Sequence, residues 1–163
     1  MPRNPRDRRA YGVADDVAAP ALRDATEIVA RAAEDEAAAD QARERYRTET
    51  MAELEPDARI APLLADGERV VAVRRSAMLD RRQPVVGWDQ PTGLGGDLYV
   101  TSRRLALVGN VTLSFELDDV EEAMLSGERL LLVLRGGQGI SIDATRPRLL
   151  RVEIATARSA ARG

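Results

Sequence analysis

The chain has 163 residues, 44% of them hydrophobic but only 3% aromatic, and a formal charge of −3. These values fit one domain of ordinary size with an appendage, its core built from Leu, Val, Ile and Ala, and they argue against nucleic acid as a partner. The chain contains no Cys, His or Lys, which removes disulfides, thiolate and imidazole chemistry, Schiff bases, the usual zinc ligands and the lysine of a phosphate-binding loop.

Carboxylate catalysis or an oxygen-ligated metal is all the inventory leaves, so the chain is expected to be no enzyme, with no catalytic residue, no cofactor and no metal site. All 24 basic residues are Arg, a bias that fits GC-rich bacterial coding. Residues 1–19 read as a disordered basic arm. They lack the apolar stretch of a secretory signal, and no run anywhere approaches the roughly 18 apolar residues that cross a bilayer. A cytoplasmic protein is expected. Residues 20–56 are rich in Ala, Glu and Arg and read as a helical extension, with Pro20 in its first turn and Pro56 marking its end. Its apolar positions are sparse, so the spacing predicts an exposed helix whose last turns dock on the following domain, in preference to a coiled coil.

From residue 60 the pattern changes to short strands. "GERVVAVRRSAML" supplies the first, and "DLYVT" and "RLALV" flank a polar corner as a hairpin does. "VTLSFEL" alternates, with Val111, Leu113, Phe115 and Leu117 on one face. "RLLLVLR" is apolar on both faces and is expected to be covered on both. "GISID" follows the Gly136-Gly137 turn. In "RPRLLRVEIATARSAARG", Leu150, Ile154, Ala157 and Ala161 form one helical stripe, with Thr145 as its expected N-cap. "GLGGD" at 93–97 reads as a flexible linker into the hairpin, and Asp118, Asp119, Glu121 and Glu122 as a turn between strands.

About seven strands and one closing helix define a mainly β domain with α: a seven-stranded antiparallel barrel or sandwich capped by a C-terminal helix, plus the long N-terminal helical extension. The segments "DGERVVAV" at 66–73, "GDLYVTSRRLALVG" at 96–109, "LDDVEEA" at 117–123 and the helix from Pro147 resemble a PH-like or GRAM-like domain in a small bacterial form, over residues 60–162. Gly96, Leu98, Tyr99, Val100, Thr101, Arg104 and Leu105 carry the hairpin part of that resemblance. It implies a binding module, since members of this superfamily bind phosphoinositides through basic residues around the first strand–strand loop, or bind proteins.

The matching loop here is 80–95, "DRRQPVVGWDQPTGLG". Arg74, Arg75, Arg81, Arg82 and Trp88 are therefore the candidate ligand-binding residues. Trp88 either faces a partner or folds back over the barrel. Asp80 and Asp89 cancel Arg81 and Arg82, so a protein partner or scaffolding role ranks ahead of peripheral binding to an anionic membrane surface. Arg103 and Arg104 are expected to turn the hairpin, one of them pairing with a strand carboxylate such as Asp97 or Glu116. The oligomeric state stays open.

Overall fold

The computed structural model describes the backbone of residues 15–82 and 92–163 and the side chains of residues 23–81 and 93–163. Residues 1–14 of the expected basic arm, Trp88 and the side chain of Arg82 lie outside the described residues, whereas residues 15–19, expected to belong to that arm, are helical. The chain divides into two units, Met1–Glu34 and Asp35–Gly163.

Helix α1 runs Asp15–Arg45. It starts before Pro20 and stops eleven residues before Pro56, where the chain turns through Tyr46, Arg47 and Thr48. The strands are β1 (Val70–Arg82), β2 (Thr92–Thr101), β3 (Arg104–Gly109), β4 (Thr112–Glu116), β5 (Val120–Ser126), β6 (Arg129–Leu134) and β7 (Gly139–Asp143), followed by helix α2 (Pro147–Arg162). All seven join one antiparallel sheet in the order β4-β3-β2-β1-β7-β6-β5. The element order is the one that the PH-like resemblance implies. Closure is not: no ladder joins β4 to β5 among the described residues, so the sheet is open where a barrel would close. A short 3₁₀ turn, Leu117–Asp119, links these two edges and carries the first of the acidic residues.

The core explains how an open sheet is stable. Leu79, Leu98, Leu107, Phe115, Val120, Leu132 and Ile142, drawn from all seven strands, meet Leu150, Ile154 and Ala157 of α2 in a single cluster. Burial of this apolar surface is the main stabilising term. The stripe read from the sequence is therefore the buried face of α2, except that Ala161, in the last turn, is exposed.

Thr145 does not cap α2. The N-cap position is Arg146, in the left-handed region at φ 51°, with no side-chain cap of its own. The cap comes from α1: Asp35 accepts the N–H groups of Arg148 at 2.7 Å and Leu149 at 3.0 Å. A carboxylate there satisfies two orphan donors and complements the helix dipole. Ala39 and Ala42, small enough for close approach, continue the contact against Val152. The last turns of the helical extension thus dock on the domain as expected.

"GLGGD" is not a linker. It lies inside β2, paired with Ala77–Asp80 of β1. A Cβ on Gly96 would come within 2.6 Å of the Val108 carbonyl oxygen, and one on Gly109 within 2.1 Å of that of Gly95. The glycines permit close approach of two backbones, which in a sequence looks the same as flexibility.

Candidate functional site

Alternation along β1 decides where its arginines point: successive residues face opposite sides, so Arg74 lies inward and Arg75 outward. The register shifts between Arg74 and Ala77, where Ser76 sits at φ 54°. The extra residue there puts Ala77 back on the inner face with Ala72. Arg74 is buried, and its guanidinium donates to Glu153 at 2.6 Å, to the Thr145 carbonyl at 2.8 Å and to the Val73 carbonyl at 3.1 Å. Burial pushes the Glu153 carboxyl above its ordinary range, and Arg74 opposes that rise only in part. This pair ties β1 to α2 within the domain.

Arg75 occupies the centre of a cluster on the outer face. It donates to Asp97 at 2.8 Å, Asp57 at 2.8 Å and the Tyr99 hydroxyl at 3.1 Å. The Tyr99 hydroxyl donates to Asp57 at 2.8 Å, and Arg59 donates to Asp97 at 2.9 Å. The Arg75 hydrogen bond, followed by those of Tyr99, Arg59 and Ile60, outweighs desolvation and holds Asp57 down at about 2. Desolvation would raise Asp97, but Arg75 and the Ser76 N–H hold it low. The partner carboxylates raise the Arg75 guanidinium further.

The cluster has a structural consequence. It clamps the segment after α1 over the outer face of β1–β2–β3, where Ile60 and Leu64 pack on Val70, Tyr99, Ala106 and Val108. Sequence reasoning missed Asp57 and Arg59. The signal was Asp57 two residues before Arg59, whose N–H it accepts in an Asx turn.

Arg104 does turn the hairpin, but its partner is Glu68, not Asp97 or Glu116. Nε and Nη2 of Arg104 reach the two carboxylate oxygens at 2.9 and 2.8 Å, and Thr101 donates to the same group at 2.7 Å. Burial alone would raise Glu68; Arg104, the Ala65 N–H and Thr101 together hold it low. Arg103 donates to the Asp66 carbonyl.

Of the loop candidates, only Arg81 has a described side chain. Its guanidinium lies over the Phe115 ring, 5.7 Å from the centroid, and its buried Nε has no hydrogen-bond partner. The structure therefore separates the predicted set: Arg74 inside, Arg75 in the clamp, Arg81 near Phe115.

Sequence reasoning also overlooked the outer face of β5–β6–β7. Strand β6 is not covered on both sides. Leu130, Leu132 and Leu134 are buried, but Leu131 and Val133 are only half-buried. With Met124, Gly139 and Ile140 they line a hollow of about 250 Å³, rimmed by Ser126, Arg129 and Ser141. Arg129 leans toward Asp80 and Asp143, each 3.9 Å away. A second hollow of about 430 Å³ lies between the end of α1 and α2. Its Arg43 already faces Asp40 and Glu36 of its own helix, and Arg47, in the turn that follows, faces Glu44.

No family model matches the chain, and no curated protein matches it. Solved structures similar to it include two whose coverage can be compared directly. The Vps36 N-terminal PH domain shares 20% identity over 67% of this chain and 91% of that one, with a TM-score of 0.45. The C-terminal domain of an unknown protein from Leishmania infantum shares 11% identity over 61% of this chain and 91% of that one, with a TM-score of 0.46.

Proposed function

We propose that the domain is a non-catalytic, cytoplasmic binding module that takes an extended peptide segment of a protein partner along β5. One observation carries this reading: among the described residues, one outer sheet face is covered and the other is left bare. Residues 54–64 seal β1–β2–β3, whereas Met124, Leu131 and Val133 stand half-buried around an unfilled hollow. That hollow adjoins β5, an edge strand whose one ladder partner among the described residues is β6. A strand added to such an edge gains main-chain hydrogen bonds and presents alternate side chains to each face. Every second residue of the peptide would then reach the hollow. An apolar centre with a Ser and Arg rim suits protein recognition, and the lack of Cys, His and Lys supports a role without catalysis.

A second reading, contact with an anionic lipid head group, draws on the unpartnered Nε of Arg81, with Arg82 and Trp88 beside it in sequence. Selection of displayed random peptides on the full chain separates the two. The first reading expects enriched peptides with apolar residues at alternate positions, bound at least about tenfold more weakly by the folded variants Leu131→Glu and Val133→Glu. Unchanged affinity in those variants would sink it. Salt-sensitive sedimentation with phosphatidylserine vesicles, lost in an Arg81→Ala, Arg82→Ala, Trp88→Ala variant, would put the lipid reading in its place.

A further inference from the structure

The hollow of about 430 Å³ between the end of α1 and α2 is lined by Arg43, Arg47 and Arg151, and by no carboxylate among the described residues. Helical spacing builds it. Arg43 and Arg47 lie four residues apart where α1 ends, and Arg151, Ala155 and Ser159 recur at every fourth position along one face of α2. Three of the four arginines of α2 reach an acceptor: Arg148 at Glu128, Arg158 at the Glu121 carbonyl and Arg162 at Asp118. Arg151 reaches none among the described residues. Arg43 meets both Glu36 and Asp40 through Nη1, and Arg47 meets Glu44 through Nη1, which leaves Nε and Nη2 of each to donate elsewhere. The Tyr46 hydroxyl accepts from Arg45 at 3.0 Å, so its own proton is also left to donate.

We propose that this hollow binds a small soluble molecule carrying a phosphate monoester, with the phosphate held by Arg151 of α2 and by Arg43 and Arg47 at the end of α1. A phosphate monoester offers three oxygens and nearly two charges, one oxygen for each guanidinium, where a carboxylate offers two oxygens and one charge. The planar fork of Arg suits such oxygens better than a point charge would. Tyr46 and Ser159 add neutral donors to the same lining. The hollow is too large for a phosphate alone and falls in the range of small-molecule sites, so the organic part of the ligand rests on Val152 and Ala155. A soluble ligand, as distinct from a lipid head group, is singled out by the surroundings. Glu36, Asp40 and Glu44 stand exposed beside the arginines and would repel an anionic membrane, whereas a small molecule passes between them. This inference does not rest on the peptide-binding reading, which concerns β5.

Titration calorimetry of the full chain with phenyl phosphate tests it, in about 0.15 M sodium chloride to screen loose surface attraction. The expected result is saturable one-to-one binding with a dissociation constant between about 10 μM and 1 mM. Arg151→Ala raises that constant by about tenfold or more, the loss of one charge-assisted pair. Arg151 is exposed and Ala favours helix, so the urea midpoint of this variant stays at or above that of the parent. Arg43→Ala and Arg47→Ala each weaken binding several-fold, while Arg69→Ala, at an exposed arginine outside the hollow, leaves it unchanged. Phenyl sulfate, the same ring with a single charge, binds several-fold more weakly. No saturation up to about 10 mM overturns the proposal, as does a dissociation constant indifferent to Arg151→Ala. Equal affinity for phenyl sulfate overturns the assignment to a phosphate monoester. Sedimentation with phosphatidic acid vesicles in the absence of phenyl phosphate binding overturns the soluble ligand.

Discussion

At the scale of single residues, the decisive contacts are carboxylate–guanidinium pairs that differ in burial. Arg74 and Glu153 are each about nine-tenths covered, so removing one partner strands the other in a poor solvent. Arg74→Met is expected to destabilise the domain by about 3–5 kcal/mol, whereas Arg74→Met with Glu153→Leu comes back close to the parent. Urea unfolding of the three chains checks this, and an uncorrected double variant would show that packing, not charge, holds the site. The outer clamp responds instead to pH. Asp57 has its carboxyl lowered from an ordinary 3.8 to about 2. Its contribution is therefore complete above 3.8 and disappears as the pH falls through about 2. Asp97, Glu68 and Glu128, all held low by arginines, add to the same acid-side loss. Glu153 acts oppositely, because burial raises its carboxyl and the folded state takes up that proton first as the pH falls toward 4.5. The urea midpoint should thus drop steeply below about pH 4, and Asp57→Asn should flatten the lowest part of that drop. A midpoint in Asp57→Asn that tracks the parent down to pH 2 would count against the clamp.

At the scale of elements, alternation made β4 readable, because it buries one face and the two-residue period has a single interpretation, whereas β2 and β3 bury residues on both faces and were readable as short apolar runs on either side of a polar corner. Two features resisted. A bulge is invisible to period counting: alternation already sets Arg74 and Arg75 on opposite faces, but only the extra residue at Ser76 puts Ala77 on the buried face. Glycines in a strand look like a linker until the neighbouring backbone is in view. That second point yields a direct test. Gly109→Ala drives a methyl group against the Gly95 carbonyl and is expected to cost about 1–3 kcal/mol, more if the β2–β3 ladder parts. Gly139, also in a strand, has open space around its Cβ direction, so Gly139→Ala should stay within about 0.5 kcal/mol of the parent. Equal effects at the two positions, measured by thermal unfolding, would mean the close approach of β2 and β3 has no energetic weight. Strand β6 misled in another way. Its continuous apolar run predicts cover on both faces, and among the described residues the outer face lacks that cover because the segment that seals a sheet face, residues 54–64, lies over β1–β2–β3.

At the scale of the whole molecule, the domain boundary drawn from composition and the one drawn by packing differ, and the difference has a physical cause. Composition changes near residue 60, where the acidic Ala-rich stretch gives way to strands. Packing changes near residue 35, because the last turns of α1 belong to the second unit. Asp35 supplies the cap that α2 lacks, Ala39 and Ala42 are fully buried, and Arg148 bridges Asp35 and Glu128. A chain beginning at Arg31 keeps all of these and should unfold at the same urea concentration as the parent. One beginning at Glu49 loses the cap, typically about 1 kcal/mol, together with the Ala39–Ala42–Val152 packing, and should be less stable by about 2–4 kcal/mol. Hydrogen exchange localises the cause: the amides of Arg148 and Leu149 lose protection in the shorter chain and in full-length Asp35→Ala alike. If the chain from Glu49 matched the parent, the helical extension would be an appendage after all, and the boundary at residue 60 would stand.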